Sequence, residues 1–184
     1  MKRLLTGLLA ATMLTGGSVA MTAAQEASPS ALEQLAGSQA SGVVDPKIGD
    51  TVLYYGEDGS EIGAVTIDSI ERGWDAYDEY YEPEDGTEYV AFVVTVDSTI
   101  SRGAIEVNLY DFSLQTATGY LWSNSYVNSS ESDPPILEDP VSLATGDSET
   151  FTVVFQVLEG EELAHIFWQP DSGVLITAAQ LEGE

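Results

Sequence analysis

Apolar and polar positions alternate with a period of two through Gly146–Leu158, GDSETFTVVFQVL. Phe151, Val153, Phe155 and Val157 share one side, and Thr150, Thr152, Val154 and Gln156 the other. The pattern predicts a core strand in a sheet packed on one face, opened by a Gly-Asp turn and closed at Glu159-Gly160. Glu88–Val96, EYVAFVVTV, has the same rhythm, with Val90, Phe92, Val94 and Val96 on one face, and is its natural neighbour. Shorter strands are predicted at Asp50–Tyr55 and Ile62–Ile70, joined by the Asp-Gly turn of Glu57-Asp58-Gly59-Ser60. In the second, Ile62, Ala64, Thr66, Asp68 and Ile70 alternate against Val65 and Ile67. Asn108–Gln115 sets Leu109 and Asp111 against Tyr110, Phe112 and Leu114, and Tyr120-Leu121-Trp122 follows. Val141–Leu143, Leu163–Gln169 and Gly173–Leu181 complete the set. About seven to nine strands with turn signals at short intervals, and no helix inside the domain, predict an all-β antiparallel sandwich.

The pattern is absent from the first 42 residues. Lys2 and Arg3 precede the apolar run Leu4–Leu14, and the small residues of Ser18–Ala24 follow. This is the layout of a cleaved signal peptide over residues 1–24, with Thr22 and Ala24 at the −3 and −1 positions. The apolar run is shorter than the ~20 residues a spanning helix needs. No cysteine follows it to carry a lipid. Residues 25–42, rich in Ala, Ser, Gln and Gly, read as a flexible linker, with a short helix offered by Ser28, Pro29 and Gly37. Residues 43–184 form the sandwich domain.

Composition narrows the function. The chain has no cysteine, which excludes disulfides, thiolate metal sites and cysteine nucleophiles. Once Lys2 and Arg3 leave with the signal peptide, only Lys47, Arg72 and Arg102 stand against 31 acids. Such a surface repels nucleic acid and anionic membrane. It favours cations, basic partners, or solubility in salty surroundings.

The segment Trp74–Glu88, WDAYDEYYEPEDGTE, breaks the strand pattern and gathers candidate chemistry. Asp75, Asp78, Glu79, Glu82, Glu84, Asp85 and Glu88 offer enough oxygen donors for Ca²⁺, which takes six to eight. Their spacing matches no known calcium loop, and a charge run on an acidic chain is ordinarily a solvated face. Tyr77, Tyr80 and Tyr81 are candidate contacts for a partner, since tyrosine offers area at low entropic cost. Trp74, beside a strand, is expected to fold down over the sandwich end. His165 is the only histidine and reads as a strand residue, which excludes multi-histidine metal centres. Gly146-Asp147-Ser148 and Glu162-Leu163-Ala164-His165 echo the blocks of Gly-Asp-Ser esterases. Here Ser148 opens a strand, with neither a following helix nor an oxyanion loop. With 31 acids, pairs of carboxylates suited to glycoside cleavage are trivially available, so their number carries no argument. Asn128-Ser129-Ser130 is a formal glycosylation sequon, and Arg72 and Arg102 are expected to be internal ion-pair partners.

The order of small signatures resembles the DUF4352 family, whose domains are related in fold to the MPT63-like secreted immunoprotective antigens. The resemblance rests on Ile48-Gly49-Asp50-Thr51-Val52, on Asp85-Gly86-Thr87-Glu88-Tyr89-Val90 running into Val93–Val96, and on Phe112-Ser113-Leu114 with Gly119-Tyr120. It continues through Leu143-Ala144-Thr145-Gly146-Asp147 into Val153–Val157, and ends at Ile166-Phe167-Trp168-Gln169-Pro170. It spans roughly Val43 to Leu181 and departs where Asp97-Ser98-Thr99 replaces a frequent Asn. It implies an immunoglobulin-like β-sandwich, export to the cell surface or medium, no enzymatic activity and no transferable site residues. The expectation is therefore a secreted or cell-surface, non-enzymatic binding module that acts as a monomer on an extracellular protein or cation. It carries no cofactor beyond a Ca²⁺ in the acidic loop. The alternative is a structural cell-envelope domain whose acidity serves solubility or salt tolerance, and a hydrolase comes third. The alternative has a direct check. If the acidity is an adaptation to salt, the melting temperature rises between low and molar salt, and equal melting temperatures would sink it.

Overall fold

The computed structural model describes residues 43–170 and 173–181, so the expected signal peptide, linker and short helix lie outside the described residues. Ten strands run β1 Thr51–Tyr55, β2 Glu61–Arg72, β3 Thr87–Ser98, β4 Ala104–Val107, β5 Phe112–Thr116, β6 Leu121–Ser123, β7 Val141–Ala144, β8 Ser148–Leu158, β9 Leu163–Trp168 and β10 Ile176–Gln180. One four-stranded sheet has the order β1-β2-β3-β8 and the other β10-β9-β5-β6, while β4 and β7 form a separate two-stranded ladder. All these pairings are antiparallel. The result is an all-β, immunoglobulin-like sandwich whose first three strands form a simple meander.

The two long strands pair without a slip over eleven positions, from Thr87 opposite Leu158 to Asp97 opposite Ser148. Their inward side chains, Val90, Phe92, Val94 and Val96 with Phe151, Val153, Phe155 and Val157, are buried against Phe112, Leu114, Ile166 and Trp168 of the second sheet. Phe92 and Phe155 meet edge to face with centroids 5.7 Å apart, and Phe112 and Phe151 do so at 5.8 Å.

Several expectations need correction. β3 and β8 are not packed on one face only: Tyr89, Ala91, Thr152 and Val154 on the outer face are buried too. Two loops lie over that face, and their contacts make a second small core. In β2 the register slips between Ile67 and Ser69, so Asp68 is an extra residue in the ladder. The bulge moves Ile70 onto the same face as Val65 and Ile67, opposite Phe92, where strict alternation would have turned it away. Leu109 is buried and Tyr110 exposed, the reverse of the predicted alternation. The cause is local: Asn108 caps a 3₁₀ turn over Leu109–Asp111, accepting from the Tyr110 N–H while Asp111 accepts from the Asn108 N–H. The strand proper starts at Phe112.

β4 has no counterpart in the predicted set. It places Ile105 and Val107 in the main core beside Leu143 of β7. Gly63 of β2 makes room for it: a Cβ there would sit 2.6 Å from the Asp97 carbonyl oxygen and 2.6 Å from Ile105 Cδ1. Because one obstacle is backbone of the neighbouring strand, Gly63→Ala is expected to destabilise the fold by about 1–3 kcal/mol. A urea midpoint equal to that of the native chain would show that β2 and β4 can part at no cost.

Candidate functional site

The outer face of the first sheet is roofed by residues 74–88 and 124–136. Tyr89, Ala91 and Val154 project from β3 and β8, and Trp74 packs on them with Val127. Trp74, Tyr77 and Tyr89 form a ring triangle with centroids 5.5–6.2 Å apart, at 6.2, 6.2 and 5.5 Å for the three pairs. Burial pushes the Tyr89 hydroxyl above its ordinary range, helped by Tyr77 and Glu84 nearby. Trp74 thus folds down as expected, but over the outer face of the first sheet rather than over the sandwich end.

Hydrogen bonds lock the two loops together. The Trp74 N–H donates to the Tyr89 carbonyl at 3.1 Å and the Asp78 N–H to the Asn128 carbonyl at 2.9 Å. Asp78 Oδ1 accepts from both the N–H and the hydroxyl of Ser130, at 3.0 and 2.9 Å, and Ser129 donates to the Ala76 carbonyl. The sequon at Asn128 therefore serves in the structure as a latch for the acidic loop. The second loop is itself fixed along β8: Ser125 N–H to the Val154 carbonyl at 2.7 Å, Gln156 N–H to Ser125 Oγ at 2.9 Å, and Thr152 N–H to the Pro135 carbonyl at 2.9 Å.

This clamp decides where each predicted residue points. Tyr77 is inside the ring cluster and only half-exposed. Tyr80 is 87% exposed. Tyr81 is half-buried and meets Tyr126 edge-on at 6.2 Å, and Tyr126 is 64% exposed. Asp75, Glu79, Glu82, Glu84 and Asp85 are exposed around these rings. Asp78 is spent on the latch and Glu88 on an ion pair with Arg72. The seven carboxylates do not converge: among the described residues, no group of three or more acids or histidines comes close enough to hold a metal ion.

Arg72 ties the corner of the sandwich. Its guanidinium donates to Glu88 Oε1 at 2.5 Å and to the Glu161 carbonyl at 2.9 Å, while Glu161 Oε2 accepts from Trp122 Nε1 of the second sheet at 3.0 Å. Arg72 is thus the internal partner expected. Arg102 is exposed and, among the described residues, forms no ion pair. The esterase echo does not assemble either. Ser148 opens β8 opposite Asp97 in one sheet, and His165 lies in β9 of the other, bonded through Nδ1 to Gln115 Oε1 at 3.2 Å.

No family model matches the chain, and no curated protein matches it. Solved structures share its fold. The secreted protein MPT63 of Mycobacterium tuberculosis aligns with a TM-score of 0.52 at 13% identity, over 73% of this chain and 96% of that one. The "putative lipoprotein (ycdA)" of Bacillus subtilis aligns at 0.50 and 17% identity over 66% of this chain. The alignment covers 37% of that longer protein. At these identities the likeness is one of fold. The expected kinship in fold with MPT63 holds, whereas membership of DUF4352 is not shown by any family match.

The Arg72–Glu88 pair gives a pH-dependent test. Burial pushes the Glu88 carboxyl up, but the Arg72 hydrogen bond, the Gly160 N–H and the Arg72 charge outweigh it and hold the group below its ordinary value of 4.5. A carboxylate with a depressed folded-state pKa contributes stability that is complete above the unfolded value and fades as pH falls through the folded one. The stability gap between the native chain and Glu88→Gln is therefore expected to be full at pH 7 and to shrink below about pH 4.5. A gap that stays constant down to pH 2 would mean that the ionised pair contributes nothing.

Proposed function

We propose that this chain is a secreted or envelope-attached module that binds a basic partner protein without catalysis, through the tyrosine rim of its two clamped loops. The carrying observation is Tyr80, left 87% exposed on a loop whose neighbouring residues are pinned to the sheet. Tyr81 and Tyr126 extend the rim, and the exposed Glu79, Glu82, Glu84 and Asp85 surround it. Rings held in place lose little entropy on contact, and arginine or lysine of a partner gains from both ring face and carboxylate. Export is supported by the basic-then-apolar start of the sequence and by the secreted MPT63 among proteins of this fold. A non-catalytic role is supported by the separation of Ser148 and His165 into different sheets.

A fluorescent arginine-rich peptide is a direct probe, followed by anisotropy at low and at 0.5 M salt. Each exposed cation–ring contact is worth about 0.5–1 kcal/mol, so Tyr80→Ala with Tyr126→Ala should weaken binding roughly five- to thirtyfold. Tyr110→Ala, on the distant 3₁₀ turn and 72% exposed, is the control that should change nothing. Equal binding by the double variant at both salts would place the contact elsewhere.

A further inference from the structure

The outward face of the second sheet is built differently from the rest of the surface. Strand register aligns two rows across its four strands: Gln180, His165, Gln115 and Leu121 in one, Thr177, Phe167, Ser113 and Ser123 in the other. None of the eight is a carboxylate, in a chain that carries 31. All are partly or fully exposed. Among the described residues, Glu162 stands at one end of the face and Asp45 beside Gln180 at its margin.

His165 and Phe167 project together from β9 in the middle of the face, their rings nearly parallel at 20° with centroids 5.6 Å apart. Gln115 Oε1 can only accept, so the bond from His165 is donated by Nδ1. The Gln115 amide N–H groups and the hydroxyls of Ser113, Ser123 and Thr177 make no hydrogen bond among the described residues. Beside the first row a cleft of about 470 Å³ opens, lined by Gln115, Thr116, Gly119, Glu162, Leu163 and His165. That volume is within the range of small-molecule sites.

We propose that this face binds a neutral glycan, with one sugar ring stacked on His165 and Phe167 and its neighbour reaching into the cleft. Charge selects the class. An anionic polymer is repelled by the net charge of −26, and a basic one is drawn to the carboxylates, which this face lacks. A second copy would bring two strongly negative molecules within a Debye length. A dry apolar partner would find only Leu121 and Phe167 to cover among the eight row residues. A neutral sugar chain carries no charge, offers apolar ring faces to His165 and Phe167, and has hydroxyls for the amide, imidazole and hydroxyl groups of the two rows.

The experiment titrates the full chain with cellohexaose, maltohexaose and laminarihexaose by calorimetry and by amide NMR. Saturable binding of at least one is expected, with shifts at residues 113–115 and 165–167. Phe167→Ala and Gln115→Ala should each weaken it by roughly tenfold while melting as the native chain does. Tyr80→Ala should leave it unchanged, so this result stands or falls separately from the tyrosine rim. Absence of binding by all three oligosaccharides overturns the proposal, as does undiminished binding by both variants. Self-association that Phe167→Ala abolishes would also overturn it, in favour of a second copy as the occupant.

Discussion

The pairing of β3 with β8 is the constraint on which the rest of the structure depends. Eleven consecutive residue pairs form without a bulge, and both faces of the resulting ribbon carry side chains that leave water. The inner face is met by the second sheet. The outer face has no third sheet to meet it, so the loops before β3 and before β7 fold back over it. β8 is also the edge of its sheet, and an open edge exposes unpaired donors and acceptors. The loop at 125–135 satisfies Thr152, Val154 and Gln156 along that edge. One segment therefore closes the edge and roofs the face.

Scarcity of positive charge gives the few cations large roles. Arg72 joins the end of β2 to Glu88 and to the turn before β9, and through Glu161 the same corner reaches Trp122 in the other sheet. Lys47 reaches Gln180 at the end of β10 at 3.1 Å. Both hold chain ends or corners, where few apolar contacts are available. The carboxylates are placed oppositely: they crowd the loops, where each can point to water, and leave the outward rows of the second sheet neutral. A sheet face cannot disperse charge as a loop can, because cross-strand neighbours are only about 4.5–5.5 Å apart and like charges there repel directly.

Period-two patterning made the long strands, the compartment of the core and the sandwich class legible in the sequence, because those features follow from local side-chain alternation. Ile105 and Val107 of β4 carried the same signal in four residues, AIEV, too short a run to stand out from a loop. What stayed hidden depends on register or distant contacts. The bulge at Asp68 reverses the facing of Ile70, and the capping box at Asn108 reverses that of Leu109 and Tyr110. Trp74 announced its burial by lying beside a strand. The partnership of Tyr81 with Tyr126, and of Asp78 with Ser130, joins segments about fifty residues apart and left no mark in either. The neutral rows become visible only once the register sets Gln115 beside His165 and Ser113 beside Phe167.

In the acidic loop the run of carboxylates is spread out rather than gathered. A flexible loop can gather its oxygens around an ion because the ion supplies the order. Here the order is already supplied by Trp74 and Tyr77 on Tyr89, by the Asp78–Ser130 latch, and by the hydrogen bonds of Thr87 to the Glu84 carbonyl at the loop's exit. Those anchors bind the backbone at both ends and in the middle, and each turns the adjacent side chain according to the sheet beneath. Asp78 and Glu88 are drawn inward to protein partners, while Glu79, Glu82, Glu84 and Asp85 are turned out to water. Bringing Asp78 or Glu88 to an ion would require breaking the Ser130 latch or the Arg72 pair. The same anchors that spread the carboxylates leave Tyr80 standing clear of the surface, so both arrangements have one physical cause.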